Sequence, residues 1–564
     1  MKSLTGLDAT FLYLETPEMP MHVGSFNLCR LPAGFKGSFH KAVVEHIGRR
    51  MHLAPVFNRK LVFMPLDLGH PLWVEADSVD IGFHIRRAGV AKKGAVPMTL
   101  AEAHKLCAQL HGELIDRNFP LWEFYIFDRI KLPDGKIVGG FFSKIHHTAL
   151  DGKGAVLLAN ALLDVSAIPR DVPPPDPSKR RLHESDLKIG KMIGSVFSSS
   201  LGQLVKAVKS LPAAAATFGG TLVKQSTGSS SAGVKAKMPM KLAPPTPFNT
   251  GITKNRVFVT ATVPLAECKA MGKAVGGSFN DIVLWICATA LRNYLTQHHS
   301  LPKKSLVAAM PVSLRDAGAL DATNLGNQVS MTLVELGTHL AHPLKRMNAI
   351  MASTAKVKTS MQSLKGLLPT DYPSLLAPWL VGGAAKMALN AYGKSGMAAR
   401  LPMVANLVIS NVPGTPVPLY LAGAEFLSFH PLSIIMHGLG LNITIQTYAG
   451  HVDFGIIADK RALPHATDLA KAIEAAFAEA QALLESTQAT QTTEAPFKEV
   501  LKKSVAQVTE KTRLVKPPSV NARPHRDTVL KSKAAPKSNA PNHGKTLVKN
   551  TSRSKTSKRP ITQP

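Results

Sequence analysis

Residues 143–152, reading Ser143-Lys144-Ile145-His146-His147-Thr148-Ala149-Leu150-Asp151-Gly152, constrain this chain more than any other segment. The run before them, Lys136-Ile137-Val138-Gly139-Gly140-Phe141-Phe142, is rich in β-formers and aromatics and reads as a strand. The run after them, Gly154 to Leu163, is apolar and long enough for a buried helix. His146, His147 and Asp151 therefore fall on a strand-to-helix turn, where a rigid scaffold can project side chains into a cleft. Histidine is the side chain whose ordinary pKa lies nearest neutrality, so it is the usual general base. Asp151, four residues beyond His147, can fix a ring tautomer or anchor the turn, and Gly152 admits a positive φ or a close chain approach. A bare histidine pair in a loop is ordinary surface polarity. The specific signal is the spacing HHxxxDG between a strand and a helix.

At 564 residues the chain exceeds one small core, and two domains are expected. The formal net charge of +30 is unevenly spread. Residues 487–564 carry 17 Lys and Arg against 4 Asp and Glu, and residues 172–256 carry 13 against 3. The halves that carry the motifs are only mildly basic, so a folded nucleic-acid-binding domain is not the simplest account. Cys29, Cys107, Cys268 and Cys287 lie far apart among apolar neighbours, without metal-like spacing, and read as buried free thiols. The N-terminus lacks the apolar core of a signal peptide. No uncharged apolar run reaches about 18 residues, and the nearest approach, 375–381, contains Pro378. A cytoplasmic protein that touches a membrane without spanning it is expected.

Along the chain, strands are expected at 21–28, 119–127 and 136–142, with helices at 40–51 and 100–114. The proline-rich 173–177 reads as linker. Apolar residues at 189–208 recur every three or four positions with lysines opposite, forming a basic amphipathic helix. It can lie in a membrane interface or cover the protein's own core, and both readings stay open. A second half starts near Pro247, with a strand at 256–263 and a helix at 265–275. Ser278-Phe279-Asn280-Asp281 then precedes a long helix, Ile282 to Gln297, and helix capping alone can explain that stretch. Val307 to Arg315 reads as a strand ending at a cation, and 325–328 and 410–414 as polar turns. Residues 441–448 and 451–459 form a hairpin about Ala449-Gly450, and 468–484 a closing helix. Beyond Ser486 the composition buries too little apolar area to offset its ordering entropy, and disorder is expected.

The ordered set Leu7-Asp8-Ala9-Thr10-Phe11, Pro120-Leu121-Trp122-Glu123, HHxxxDG at 146–152, Asn280-Asp281, Pro311-Val312-Ser313-Leu314-Arg315, Gly326-Asn327-Gln328 and Asn411-Val412-Pro413-Gly414 carries a family likeness. HHxxxDG resembles the active-site motif of the CoA-dependent acyltransferase superfamily. The whole set resembles the bacterial wax ester synthase/acyl-CoA:diacylglycerol acyltransferase family, over roughly 4–484. The long basic tail is a departure that the family pattern does not require.

The resemblance implies an α/β fold of two chloramphenicol-acetyltransferase-like subdomains, with the active-site tunnel at their interface and a disordered basic C-terminal tail. The expected segments are 1–170, an N-terminal acyltransferase subdomain; 171–250, a basic linker with the amphipathic helix; 251–486, a C-terminal subdomain; and 487–564, the tail. It implies transfer of a long acyl chain from acyl-CoA to diacylglycerol or a fatty alcohol, with acyl-CoA as co-substrate and no bound cofactor or metal. By that likeness His147 is the general base, His146 is secondary, Asp151 orients the turn, and Asn280 sits near the developing oxyanion. Arg315 is a candidate ion-pair partner for Asp151, with Gly152 as structural support. Trp122 is read as plain core. The implied location is the inner-membrane or lipid-body surface.

Two other readings stay open at this level: a free-standing condensation-type enzyme, and an inactive lipid-body or membrane-associated protein of the same fold. Nucleic-acid binding through the tail is a weaker fourth.

Overall fold

A computed structural model describes residues 2–63, 70–89, 96–150, 152–176, 242–313, 329–364, 391 and 403–485. All of them fall within one compact unit, Met1–Gln491. Asp151, Arg315, the 326–328 turn, the 189–208 helix and the 487–564 tail lie outside the described residues.

Two sheets organise the α/β architecture. The larger has eight strands. Its centre is the antiparallel set His22–Arg30, Ile137–His146 and Trp122–Lys131, with His22 opposite His146 and Trp122 opposite Ile145. The smaller runs in the order Val329–Glu335, Val307–Ser313, Leu407–Val412, Leu441–Tyr448, His451–Asp459 and Arg256–Pro264. Its hairpin turns at Ala449 (φ 43°) and Gly450 (φ +89°), as the sequence predicts. Late strands cross back into the larger sheet: Ala424–Phe426 and His430–Leu432 both pair with His22–Arg30. That crossover could not be read from local periodicity, because the pairing spans some 400 residues.

The strand that ends at the first histidine of the pair is central, and it is buried on both faces from Val138 to His146. Alternation sends Phe141 and Ile145 into one apolar cluster, and Val138 and Phe142 into another. Lys144 and His146 share the Phe142 face by the same period of two. That face is covered by the helix Leu100–His111, which starts at a Thr99–Glu102 capping box and ends at Gly112. The same helix packs against the Arg256–Pro264 strand.

The second half is built around the helix Phe279–Gln297, buried almost continuously from Asp281 to Leu291. A helix that is apolar all round belongs inside a core. Here Leu284, Trp285 and Ile286 pack with Ile443, Phe454 and Ile456 of the smaller sheet. Among the described residues no single helix is long and apolar enough to cross a membrane. Leu265–Val275 and Phe279–Gln297 meet that composition only jointly, and they are bent by 102° at their junction. The four cysteines are free and buried.

Two local readings change. Ser410, Asn411 and Val412 end the strand Leu407–Val412 rather than forming a turn, because parallel pairing to Asn442–Gln446 extends through them. The long helix begins at Phe279 rather than Ile282, with Ser278 as its cap.

Candidate active site

The strand Ile137–His146 ends where the chain tightens into a single 3-10 turn, His147–Ala149, before the helix Gly152–Leu162. Backbone hydrogen bonds pin both histidines: His146 N–H donates to Leu121 O at 3.0 Å, and His147 N–H to Met21 O at 2.8 Å. The His146 side chain caps the turn, its Nδ1 accepting from Thr148 N–H at 3.1 Å. Thr148 Oγ1 in turn donates to Asp8 O at 2.8 Å, tying the turn to the helix Gly6–Leu14. The sequence-marked motif Leu7–Phe11 therefore lies against the histidine pair.

His146 and His147 differ in surroundings. His146 is fully buried, and an Nδ1 that accepts leaves its proton on Nε2, 3.3 Å from Glu15 Oε1. His147 is half-buried. Its ring stacks on Phe11 with centroids 4.0 Å apart and planes 15° from parallel. Its Nδ1 is buried and finds no hydrogen-bond partner among the described residues. Burial pushes the His147 pKa down to about 4; the residue's own backbone carbonyl works the other way, and His146 adds a smaller push down. The imidazole is therefore neutral at physiological pH, as a proton acceptor must be.

Behind the pair lies a polar cluster that sequence reasoning missed. Glu15 Oε1 lies 3.3 Å from His22 Nε2 as well as from His146, and its Oε2 accepts from Arg117 Nη2 at 2.7 Å. Burial works to raise the Glu15 pKa, but the His146 and His22 rings beside the carboxyl outweigh it and hold it well below its ordinary range. Burial lowers His22 to about 4 despite Glu15, and pushes His111 well below its usual value. Lys144 satisfies all three of its donors: Glu123 Oε2 at 2.8 Å, Glu113 O at 2.9 Å and Leu110 O at 3.0 Å. The two carbonyls lie at the C-terminal end of the Leu100–His111 helix, where a cation is favoured. The period-two alternation Phe142, Lys144, His146 was the available signal for Lys144.

Trp122 is fully buried, with its Nε1 donating to Phe57 O, so its core reading stands. Asn280 lies in the first turn of the Phe279–Gln297 helix. The helix end is capped by others: Ser278 and Asp281 form a reciprocal capping box, leaving Asn280 free of that task. Its Oδ1 instead accepts from Asn411 Nδ2 at 3.3 Å, which directs its own amide N–H groups elsewhere. Two of the sequence motifs, at 280 and 411, thus meet. Asn280 makes no hydrogen bond to the histidine turn among the described residues. Gly152 opens the helix after the turn.

The histidine pair thus stands on a backbone-pinned turn between a central strand and a helix, where the HHxxxDG spacing places it. Residues 4–283 match the wax ester synthase/diacylglycerol acyltransferase catalytic domain, and residues 325–481 match the WS/DGAT C-terminal domain. A probable diacylglycerol O-acyltransferase of Mycobacterium tuberculosis is 32% identical over 469 residues, covering 81% of this chain and 94% of the relative. The O-acyltransferase WSD of Acinetobacter baylyi is 31% identical over 482 residues, covering 84% and 96%. The solved wax ester synthase/diacylglycerol acyltransferase of Marinobacter aquaeolei is similar in fold. It has a TM-score of 0.58 and 26% identity, and the match covers 86% of this chain and all of that one. The chain belongs to the wax ester synthase/diacylglycerol acyltransferase family and is an O-acyltransferase.

Proposed function

We propose that the protein transfers a long-chain acyl group from acyl-CoA to the free hydroxyl of diacylglycerol, and to fatty alcohols, with His147 as general base. The observation that carries this reading is the His147 imidazole: neutral, half-buried and held on a turn pinned to two neighbouring segments.

The acceptor oxygen attacks the thioester carbonyl carbon while His147 takes the hydroxyl proton. The resulting oxyanion collapses, the C–S bond breaks, and the departing thiolate recovers the proton from the imidazolium. The products are an ester and free CoA. The acceptor is itself the nucleophile, so no acyl-enzyme is required, and the balance closes without a metal or prosthetic group. Asn280 supplies an oxyanion donor in this reading, supported by the acceptor bond that occupies its carbonyl oxygen. Such a donor is typically worth about 3–4 kcal/mol. Asp151, with Arg315 as its partner, is assigned the support of the turn.

The proposed working place is an inner-membrane or lipid-body surface on the cytoplasmic side, a reading supported by the lipid acceptors and by the basic residues concentrated in 172–256 and 487–564, whose charge favours anionic headgroups. Co-flotation with anionic but not neutral vesicles tests that placement. The activity is tested with purified full-length protein in detergent, using palmitoyl-CoA and either dioleoylglycerol or hexadecanol. CoA release matched by triacylglycerol or wax ester is expected, and no product from either acceptor would overturn the reading.

A further inference from the structure

The helix Gly6–Leu14 and the residue that follows it address both histidines of the turn. Phe11 lies flat against His147, ring centroids 4.0 Å apart. Glu15, four residues on, has a carboxylate oxygen 3.3 Å from His146 Nε2. A spacing of four brings side chains onto the same side of a helix, so one short element reaches two adjacent rings.

The two contacts do different work. Glu15 is anchored by Arg117 and by Met21 N–H, and it faces the protonated nitrogen of His146. That keeps the His146 proton on Nε2 and frees Nδ1 to accept from Thr148 N–H, the bond that closes the turn. Phe11 acts on the other ring. The His147 Nδ1 finds no hydrogen-bond partner in another described residue, and the ring has only its own backbone carbonyl beside it, so no neighbouring side chain holds its plane by a polar contact. The flat face of Phe11 supplies that restraint. Phe11 is itself only half-buried, so packing into the core does not account for it fully.

We propose that Phe11 is a positioning residue for the catalytic base, setting the plane of the His147 ring by stacking, with Glu15 holding the turn beneath it through His146. The inference rests on His147 being the base. Neither Phe11 nor Glu15 touches the reacting atoms. Their contribution is that the imidazole meets the acceptor hydroxyl in one orientation, and a misplacement of about 1 Å can cost about 100-fold in rate.

The test compares wild type, Phe11→Leu, His147→Ala and the double variant in the full chain, with palmitoyl-CoA and dioleoylglycerol as substrates. Phe11→Leu keeps an apolar side chain but removes the flat face. The expected result is a fall in kcat of roughly 10- to 100-fold, with both KM values within about twofold of wild type. On the His147→Ala background Phe11→Leu should cost nothing further, because residues acting as a unit are not additive. Unchanged kcat, a loss carried by KM, or an equal further loss on the His147→Ala background would each overturn the proposal. If Phe11→Leu does not fold, Phe11→Met takes its place, and failure of both to fold assigns Phe11 to core packing. An active His147→Ala enzyme removes the base assignment itself. An inactive one beside an unaffected Phe11→Leu removes only the stacking role.

Discussion

The ground beneath the histidine turn and the ground beneath the helix Phe279–Gln297 are opposites. Under the turn, Glu15, His22, His111, Lys144 and Glu123 are all buried, with Glu15 beside His22, His111 edge-on to His22, and Lys144 paired with Glu123. Under the helix, the contacts are Leu284, Ile286, Leu291 and the apolar strands of the smaller sheet. The second arrangement favours stability directly, since burial of apolar surface is favourable and undirected. The first is costly to assemble and worth little net stability, because desolvated charges roughly cancel their attraction. What it provides is direction, in the form of one tautomer for His146 and one geometry for the turn that carries His147. The chain concentrates expensive polarity where orientation matters and leaves the other half to plain packing.

The sharpest way to break this contrast is at Lys144. Its ammonium is fully buried with three satisfied donors. Replacement by Met leaves two carbonyls unpaired and Glu123 with only Tyr125 and Arg86, and removing one partner of a buried pair costs about 3–5 kcal/mol. Chemical denaturation should show that loss for Lys144→Met. Replacing Glu123 and Lys144 together by apolar residues should recover much of it. Equal and additive losses would mean the pair is no more coupled than ordinary core.

Next in size is a pair of neighbours in the other half. Asn280→Ala should lower kcat by about 10²–10³ with no change in thermal midpoint, because Ser278 and Asp281 still cap the helix. Ser278→Ala should do the reverse: about 1 kcal/mol less stability and unchanged kcat. A stability loss at Asn280 without a rate effect would return it to a purely structural role.

The smallest effect is the pH dependence of stability. His22 and His147 are held near 4 in the folded chain, against an ordinary 6.5. The unfolded chain therefore binds protons between those values that the folded chain does not, so stability falls as pH drops from about 6.5 towards 4. Glu15, held low when folded, adds a further loss below its ordinary value of 4.5. A thermal midpoint that does not fall between pH 7.5 and 5 would contradict the burial of these rings in neutral form.

Much of this was legible beforehand, for identifiable reasons. Strong β-formers marked a strand at 136–142, which runs four residues further to His146 because its pairing with His22–Arg30 continues through them, and the helix Leu265–Val275 was legible as it stands. HHxxxDG between a strand and a helix located the turn. The missed parts depend on distant pairing. Glu15 looks like any acidic residue at a helix end until Met21 and Arg117 close around it, and His22 gains its meaning only by lying opposite His146. The crossover of 424–432 into the larger sheet is long-range too. Asn280 was ambiguous because Ser, Asn and Asp all cap helices; only the geometry separates the cap, Ser278 with Asp281, from the residue left over.

In the proposed mechanism His147 is the group that takes the acceptor proton. The direct measurement is single-turnover ester formation from palmitoyl-CoA and dioleoylglycerol by wild-type and His147→Ala protein, matched for thermal midpoint and secondary structure. General base catalysis contributes about 10²–10⁴ in rate, so a loss of that size in a folded variant is predicted. Ester formation by His147→Ala within a few-fold of wild type would contradict it.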